Sequence, residues 1–104
     1  MKRFIMYSKL KPEKIEEYVY LHRHPWPEIL EIISECNIQN YSISIRGDEL
    51  YTYYEYVGTD LEADNAKMAS YDIMQEWWSH TKPCFLYHDQ GKYYDDLEEI
   101  FYLK

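Results

Sequence analysis

Residues 41–57 read YSISIRGDELYTYYEYV, and this stretch predicts two β-strands joined by a tight turn. Its first half alternates polar residues with three apolar ones, Tyr41, Ile43 and Ile45. A period of two is typical of a strand that is buried on one face only. Gly47-Asp48 is a turn signal, and the tyrosine-rich residues 50–57 supply the partner strand. The elements on either side of this hairpin therefore decide the fold.

One strand and two short helices are predicted before the hairpin. Residues 3–10 alternate as a strand does. Pro12 stands at a favoured first helical position, and His22 falls on the apolar face of the helix that follows. Pro25 and Pro27 end this helix and start another. The second helix is predicted to direct four side chains inward: Ile29, Leu30, Ile33 and Cys36.

A single long helix is predicted after the hairpin. Gly58 ends the second strand, and Asp60 can cap the next helix. Apolar residues then recur at helical spacing over residues 61–80, and Pro83 ends the pattern. The predicted inward stripe consists of Ala66, Ala69, Ile73 and Trp77, widened by Met74 and Trp78.

The last segment combines a polar stretch with a final strand. Residues 88–96 are prone to turns, and residues 97–103 predict a strand, with a helical turn over residues 95–99 as the alternative. The predicted order is β-α-α-β-β-α-β. If the two short helices form one broken crossover, this is the ferredoxin-like βαββαβ pattern of an α+β fold. The 104 residues fit one domain, which we expect to span residues 1–104.

Aromatic residues make up 18% of the chain, including 13 tyrosines and 3 tryptophans. Many fall in predicted strands and would lie on both faces of the sheet. An open sheet with large rings on both faces needs cover on each. We therefore expect a second copy of the chain as a partner, which predicts a homodimer.

The net charge of −8 restricts the ligands that we expect. The sequence has no basic stripe, which argues against nucleic-acid binding. A negative field repels phosphorylated and carboxylate substrates, which favours neutral or cationic ligands. The alternative is that the acidity only keeps a small protein in solution.

Three further features favour the cytoplasm. Two cysteines, Cys36 and Cys84, do not make a disulfide framework, and Cys36 ends an apolar helical pattern as a small buried residue would. Residues 1–10 are interrupted by charges and lack the apolar core of a signal peptide. No apolar run approaches the length of a membrane span, so we expect no membrane association.

Three elements carry residues that suggest one pocket. His22 can exchange protons near neutral pH, and Tyr18 lies one helical turn before it. Tyr41 begins the next strand, and Trp77 and Trp78 lie late in the long helix. Aromatic rings with polar tips form good walls for a small neutral molecule such as a sugar. The alternative is that His22 is a hydrogen-bonded core residue and both tryptophans are core.

Other titratable residues give weaker signals. His24, His80 and His88 have no metal-ligand spacing with acidic residues, so no metal site is predicted. Glu55 lies mid-strand among tyrosines. If it faces inward it needs a partner, and it would then be either a general base or a partner in a structural hydrogen bond to a tyrosine. The three glycines form no phosphate-binding loop.

Four motifs in order resemble the L-rhamnose mutarotase family. They are HRHPWPE at residues 22–28, NY at 40–41, ASYDIMQEWW at 69–78 and LEEIFYL at 97–103. Their separations also match the family's pattern. Two segments depart from it, namely the residues between His22 and Trp26 and the stretch over residues 82–96. The second departure is close in sequence to the tryptophan pair and so bears on which sugar is bound.

The resemblance implies a dimeric α/β barrel of ferredoxin-like subunits that needs no cofactor and interconverts the anomers of L-rhamnose. By motif match, His22 falls on the family's proton donor. The sugar-contacting positions fall on Tyr18, Tyr41, Trp77 and Trp78. The base is left open among Tyr18, Tyr41, Glu55 and a bound water. Two other functions are considered: a non-catalytic sugar-binding protein, and another cofactor-free dimeric barrel enzyme acting on a small aromatic compound.

Overall fold

The tyrosine-rich hairpin forms half of a four-stranded sheet. In the computed structural model, which describes residues 1–88 and 91–104, the hairpin consists of β2 (Ile38–Arg46) and β3 (Glu49–Tyr56). β1 (Lys2–Lys9) pairs with β3, and β4 (Tyr94–Asp96) pairs with the other edge of β1, all antiparallel. The strand order β2-β3-β1-β4 is that of the predicted ferredoxin-like α+β fold.

Four helices make the second layer. They are α1 (Ile15–Arg23), α2 (Pro27–Glu35), α3 (Leu61–Ala69) and α4 (Asp72–Thr81), with short 3₁₀ turns at Pro12–Lys14 and Lys82–Cys84. The broken first crossover is therefore confirmed.

The helices cover one face of the sheet. The main core joins Ile29 of α2 and Met74 of α4 to Tyr56 of β3, with Phe4 and Tyr54 packed against it. These strand positions are even-numbered, so their odd-numbered neighbours point to the opposite face. That second face, here called the open face, carries four large side chains: Ile5, Tyr7, Tyr51 and Tyr53.

The prediction of one helix over residues 61–80 is wrong. The helix breaks at Ser70 and Tyr71, where Tyr71 is extended with φ −81° and ψ 125°. Ser70 Oγ donates to the Lys67 carbonyl at 2.6 Å, and Gln75 Nε2 donates to the Ala69 carbonyl at 2.6 Å. In a continuous helix, these two carbonyl oxygens would instead accept hydrogen bonds from backbone amides four residues later. The break also changes the buried stripe, because Met68 is buried while Ala66 is exposed.

The last strand also lies elsewhere than predicted. β4 falls within residues 88–96, which were predicted to be a turn-prone stretch; two of them, Asp89 and Gln90, lie outside the described residues. Residues 97–103 form neither the predicted strand nor a helical turn over residues 95–99. Only the Leu97 amide extends the ladder, donating to the Ile5 carbonyl at 3.0 Å. β4 pairs only with Met6, Tyr7 and Ser8 of β1, and beyond the Leu97 amide residues 97–103 do not continue this pairing along β1.

One predicted core residue of α2 is exposed. Leu30 is 53% exposed, whereas Ile32, which the apolar pattern did not select, is 6% exposed. Leu30 and Ile32 each fit a helical stripe that includes Ile29, and the position of β2 determines which of the two is buried. Cys36 is fully buried and unpaired, as predicted.

Candidate active site

Helices α1 and α4 and the sheet enclose a small cavity of about 110 Å³. All five residues singled out for the site line it: Tyr18, His22, Tyr41, Trp77 and Trp78. Tyr18 and His22 are one turn apart on α1, so both side chains leave the helix on the same side. The fold thus gathers into one place residues that are distant in sequence.

His22 is held by two contacts with Tyr18. Its Nδ1 lies 2.8 Å from the Tyr18 carbonyl oxygen, and the two rings stack with centroids 4.1 Å apart. The edge of Trp77 meets the imidazole at a centroid distance of 5.5 Å. Burial lowers the pKa of His22 below its ordinary value, and the bond to the Tyr18 carbonyl offsets only part of this effect. The imidazole is therefore neutral at pH 7.

The two tryptophans have different surroundings. Trp77 is 6% exposed and belongs to the main core, where its ring meets Trp26 at 5.1 Å. Trp78 is half-buried, and the Lys82 ammonium lies over its ring, 4.6 Å from the centroid. Adjacent residues on a helix point about 100° apart. Trp77 therefore joins the cavity to the core, and Trp78 forms its outer wall.

The tyrosine hydroxyls at the cavity are poor bases. Desolvation raises the pKa of Tyr18, and it raises the pKa of Tyr41 to about 12. Although 45% of Tyr41 is exposed, its side chain lines the cavity together with Tyr93, and its ring stacks on Tyr54 at a centroid distance of 5.7 Å. A phenol with a raised pKa stays protonated at neutral pH. These side chains can donate hydrogen bonds to a ligand, but they do not abstract protons.

Glu55 lies outside the site. Its neighbour Tyr54 faces the helices, so Glu55 points to the open face. There its carboxylate accepts hydrogen bonds from Asn40 Nδ2 and Tyr53 Oη, both at 2.7 Å, and these bonds lower its pKa. Of the two roles considered for Glu55, only the structural hydrogen bond to a tyrosine is found.

Several lining residues were not anticipated from the sequence. Tyr93 and Tyr94 line the cavity from the segment that was predicted to be a turn. Their adjacent rings were the one signal that could have marked a half-buried strand there. Lys82 and Phe85 also line it, just beyond α4. Among the described residues that line the cavity, Lys82 is the only one with a permanent charge.

A larger groove of about 420 Å³ runs between α2 and β2 and ends at the same histidine. His22, Tyr41 and Trp77 border both spaces. The remaining walls are mostly apolar, with Leu30 and Ile43 on facing sides. The groove is therefore a route by which a small molecule can approach His22 from solvent.

The other histidines are placed apart from the cavity. His24 is exposed, His80 meets the edge of Trp26 at 5.7 Å, and His88 Nε2 lies 3.4 Å from the Asp95 carboxylate. In the part of the chain that the structure describes, no three His, Cys, Asp or Glu side chains are grouped so as to hold a metal ion.

Within residues 1–88 and 91–104, every helix is too short or too polar to cross a bilayer.

The similarity to known proteins extends over nearly the whole chain. A family model described as L-rhamnose mutarotase matches residues 3–103. The chain is 30% identical over 104 residues to the L-rhamnose mutarotase of Oceanobacillus iheyensis. It is 31% identical over 104 residues to that of Bacillus subtilis. Each of these alignments covers 99% of both chains.

Two solved structures share the fold. The crystal structure of an L-rhamnose mutarotase from Formosa agariphila gives a TM-score of 0.77 at 21% identity and covers 100% of each chain. Tetracenomycin F2 cyclase from Streptomyces glaucescens, a type-II polyketide cyclase, gives a TM-score of 0.65 at 16% identity. That match covers 100% of this chain and 97% of the cyclase. At these identities the likeness shows a common fold.

Proposed function

The chain belongs to the L-rhamnose mutarotase family, and on that premise we propose that it interconverts the α and β anomers of L-rhamnose at the cavity beside His22. The proposed activity is that of an isomerase. The observation that carries the proposed site is the position of a neutral imidazole on the wall of a small aromatic cavity.

Mutarotation requires proton transfer at two oxygen atoms that are bonded to the same carbon, the anomeric carbon. The anomeric hydroxyl loses a proton, the ring oxygen gains one, and the C1–C2 bond rotates before the ring closes again. A group with a pKa near the working pH does this best, and each such group contributes roughly 10²–10⁴-fold to the rate. His22 is the only such group among the described residues that line the cavity.

The remaining walls suit a neutral deoxy sugar. Trp77 and Trp78 offer flat surfaces for the apolar face and the methyl group of the sugar, while Tyr18 and Tyr41 can donate hydrogen bonds to its hydroxyls. The cavity of about 110 Å³ adjoins the groove of about 420 Å³ at His22, Tyr41 and Trp77, so the two spaces together offer room for a sugar beside the imidazole.

Saturation-transfer NMR tests this function directly. We expect the wild type to accelerate exchange between the anomeric signals of L-rhamnose, with slower or no exchange for L-fucose and D-glucose. His22→Ala should lower the catalysed rate by at least about 100-fold while the circular dichroism spectrum is unchanged. His24→Ala is the matched control, because His24 contacts Tyr20 in the same way but is exposed. Binding of L-rhamnose without faster exchange would make the protein a sugar binder instead.

We further propose that residues 1–104 act as one mutarotase-like domain and that two copies associate through the open face. Ile5 and Tyr51 are each 37% exposed on that face. The terminal segment adds four exposed apolar side chains: Leu97, Ile100, Phe101 and Leu103. An apolar surface of this kind favours association with another protein surface.

The cytoplasm is the proposed location. Cys36 and Cys84 are both buried and free. Unpaired buried cysteines are typical of a reducing compartment. Fractionation of cells that carry the intact gene, followed by detection of the protein in each fraction, would test this location.

A further inference from the structure

We propose that His22 acts alone as a proton shuttle: its unprotonated Nε2 takes the proton of the anomeric hydroxyl and returns it to the ring oxygen. This role deepens the proposed mutarotase function and rests on it. It assigns the base, which the sequence left open among four candidates, to the same residue as the acid.

The tautomer follows from the contact with Tyr18. The Nδ1 atom lies 2.8 Å from a backbone carbonyl oxygen, which can only accept a hydrogen bond. Nδ1 must therefore carry the proton. In a neutral imidazole the second nitrogen is then an acceptor with a free lone pair. The backbone of α1 thus sets Nε2 as the basic atom of the site.

The Nε2 atom is open to the cavity. It forms no hydrogen bond with any residue in the ranges 1–88 and 91–104. Within those ranges, every side-chain nitrogen that is sealed from solvent has a hydrogen-bond partner. Since Nε2 has none, it is accessible, and the accessible spaces that His22 borders are the cavity and the adjoining groove.

The groups that face His22 favour a neutral ring. From α1, β2 and the chain around β4, the titratable neighbours are phenols: Tyr18, Tyr41, Tyr93 and Tyr94. The turn after α4 contributes one cation, Lys82, and α2 contributes no titratable group to the groove. Among the described residues, no carboxylate lines either space to stabilise an imidazolium. Burial acts in the same direction, since it lowers the pKa of His22.

The other candidate bases among the side chains are unsuitable. Tyr18 and Tyr41 keep their protons at neutral pH because desolvation raises their pKa values. Glu55 points to the opposite face of the sheet and is engaged by Asn40 and Tyr53. Among the described residues that line the cavity, the imidazole is therefore the one neutral nitrogen base, since Lys82 lines it as a cation.

The proposed reaction balances with one imidazole. Nε2 takes the proton from the O1–H group, the O1 electron pair forms the C1=O1 bond, and the C1–O5 bond breaks with its electron pair left on O5. The Nε2–H group then gives the same proton to O5. Rotation about C1–C2 presents the other face of the aldehyde, and the reverse steps close the ring. O1 and O5 are bonded to one carbon, so a single nitrogen can serve both.

Spectra of the wild-type protein labelled with ¹⁵N-histidine test the tautomer without any sugar. Long-range ¹⁵N–¹H correlations distinguish an Nδ1–H ring from an Nε2–H ring. We expect the Nδ1–H form for His22 at pH 7, and a titration midpoint below the ordinary value of about 6.5. An Nε2–H ring, or a charged ring at pH 7, would overturn the shuttle.

The pH dependence of catalysed L-rhamnose exchange tests the chemistry. Because the neutral ring is the active form, the rate above the buffer rate should rise through the His22 midpoint and level off by pH 7. His22→Gln should lose the catalysed rate, and His24→Gln should keep it within twofold. A rate that falls over this interval would overturn the shuttle while leaving the mutarotase function intact. No exchange by the wild type at any pH would overturn both.

Discussion

At the scale of single residues, the outer wall of the cavity depends on a contact within one helical turn. Trp78 and Lys82 are four residues apart, so their side chains meet on the same side of α4 and the turn after it. The ammonium lies 4.6 Å from the centroid of the indole, within the range of a cation–π contact. This contact fixes the plane of an indole that we expect to pack against the sugar.

Replacing Lys82 should therefore weaken sugar binding more than it slows the chemistry. A cation–π contact at such a site contributes about 0.5–1 kcal/mol. We expect Lys82→Met to raise KM for L-rhamnose by about two- to fivefold with kcat within twofold, measured by NMR exchange at several sugar concentrations. Lys82→Arg keeps the cation and should restore the wild-type KM. An unchanged KM for Lys82→Met would show that the contact does not position Trp78 for binding.

The sequence predicts which residues line the cavity better than it predicts what each of them does there. Tyr18, His22 and the tryptophan pair could be selected because helical spacing and residue chemistry are local signals. The unprotonated state of His22 Nε2 could not be predicted from the sequence, because it follows from the contact of Nδ1 with a backbone carbonyl that exists only once α1 has formed. The exclusion of Glu55 likewise requires the register of β3, since a one-residue shift would reverse its face.

At the scale of elements, the cap of α3 and the proline break between α1 and α2 were predictable, whereas the break between α3 and α4 was not. Asp60 caps α3 as expected, accepting a hydrogen bond from the Ala63 amide at 3.1 Å. The break between α3 and α4 depends on Ser70 and Gln75, whose side chains bond to backbone carbonyls. Serine and glutamine are common inside helices and on their surfaces, so neither residue signals a break by itself. The same limit applies to β4, whose three residues are too few for a clear period.

Removal of the cap should destabilise the protein without affecting the cavity. Asp60→Ala leaves the first turn of α3 without its side-chain acceptor, and loss of such a cap costs about 0.5–2 kcal/mol. We expect the free energy of unfolding in urea to fall by this amount, with KM for L-rhamnose unchanged. Asp60→Ser, which keeps an acceptor oxygen, should recover most of the loss. Equal stability of Asp60→Ala and the wild type would show that the cap contributes nothing.

At the scale of the whole molecule, the two faces of the sheet differ in how far their side chains are covered. The helical face holds the core and the cavity, whereas the open face carries exposed aromatic and aliphatic side chains. The terminal segment is held across the open face by Arg3, which bonds to Glu99 at 2.6 and 2.9 Å and lies 3.3 Å from the centroid of the Tyr102 ring. Ile100 and Phe101 remain 90% and 80% exposed beside it.

This arrangement gives a sharp test of the proposed homodimer. Light scattering should give a mass about twice the 12.8 kDa of one chain for the wild type. Ile100→Glu places a charge on the proposed interface and should shift the equilibrium towards monomer at micromolar concentration, because burying an unpaired carboxylate is costly. Leu30→Glu is the control: Leu30 is also exposed, at 53%, but it lies on the helical side and should leave the dimer intact. A monomeric wild type, or dissociation by Leu30→Glu alone, would contradict association through the open face.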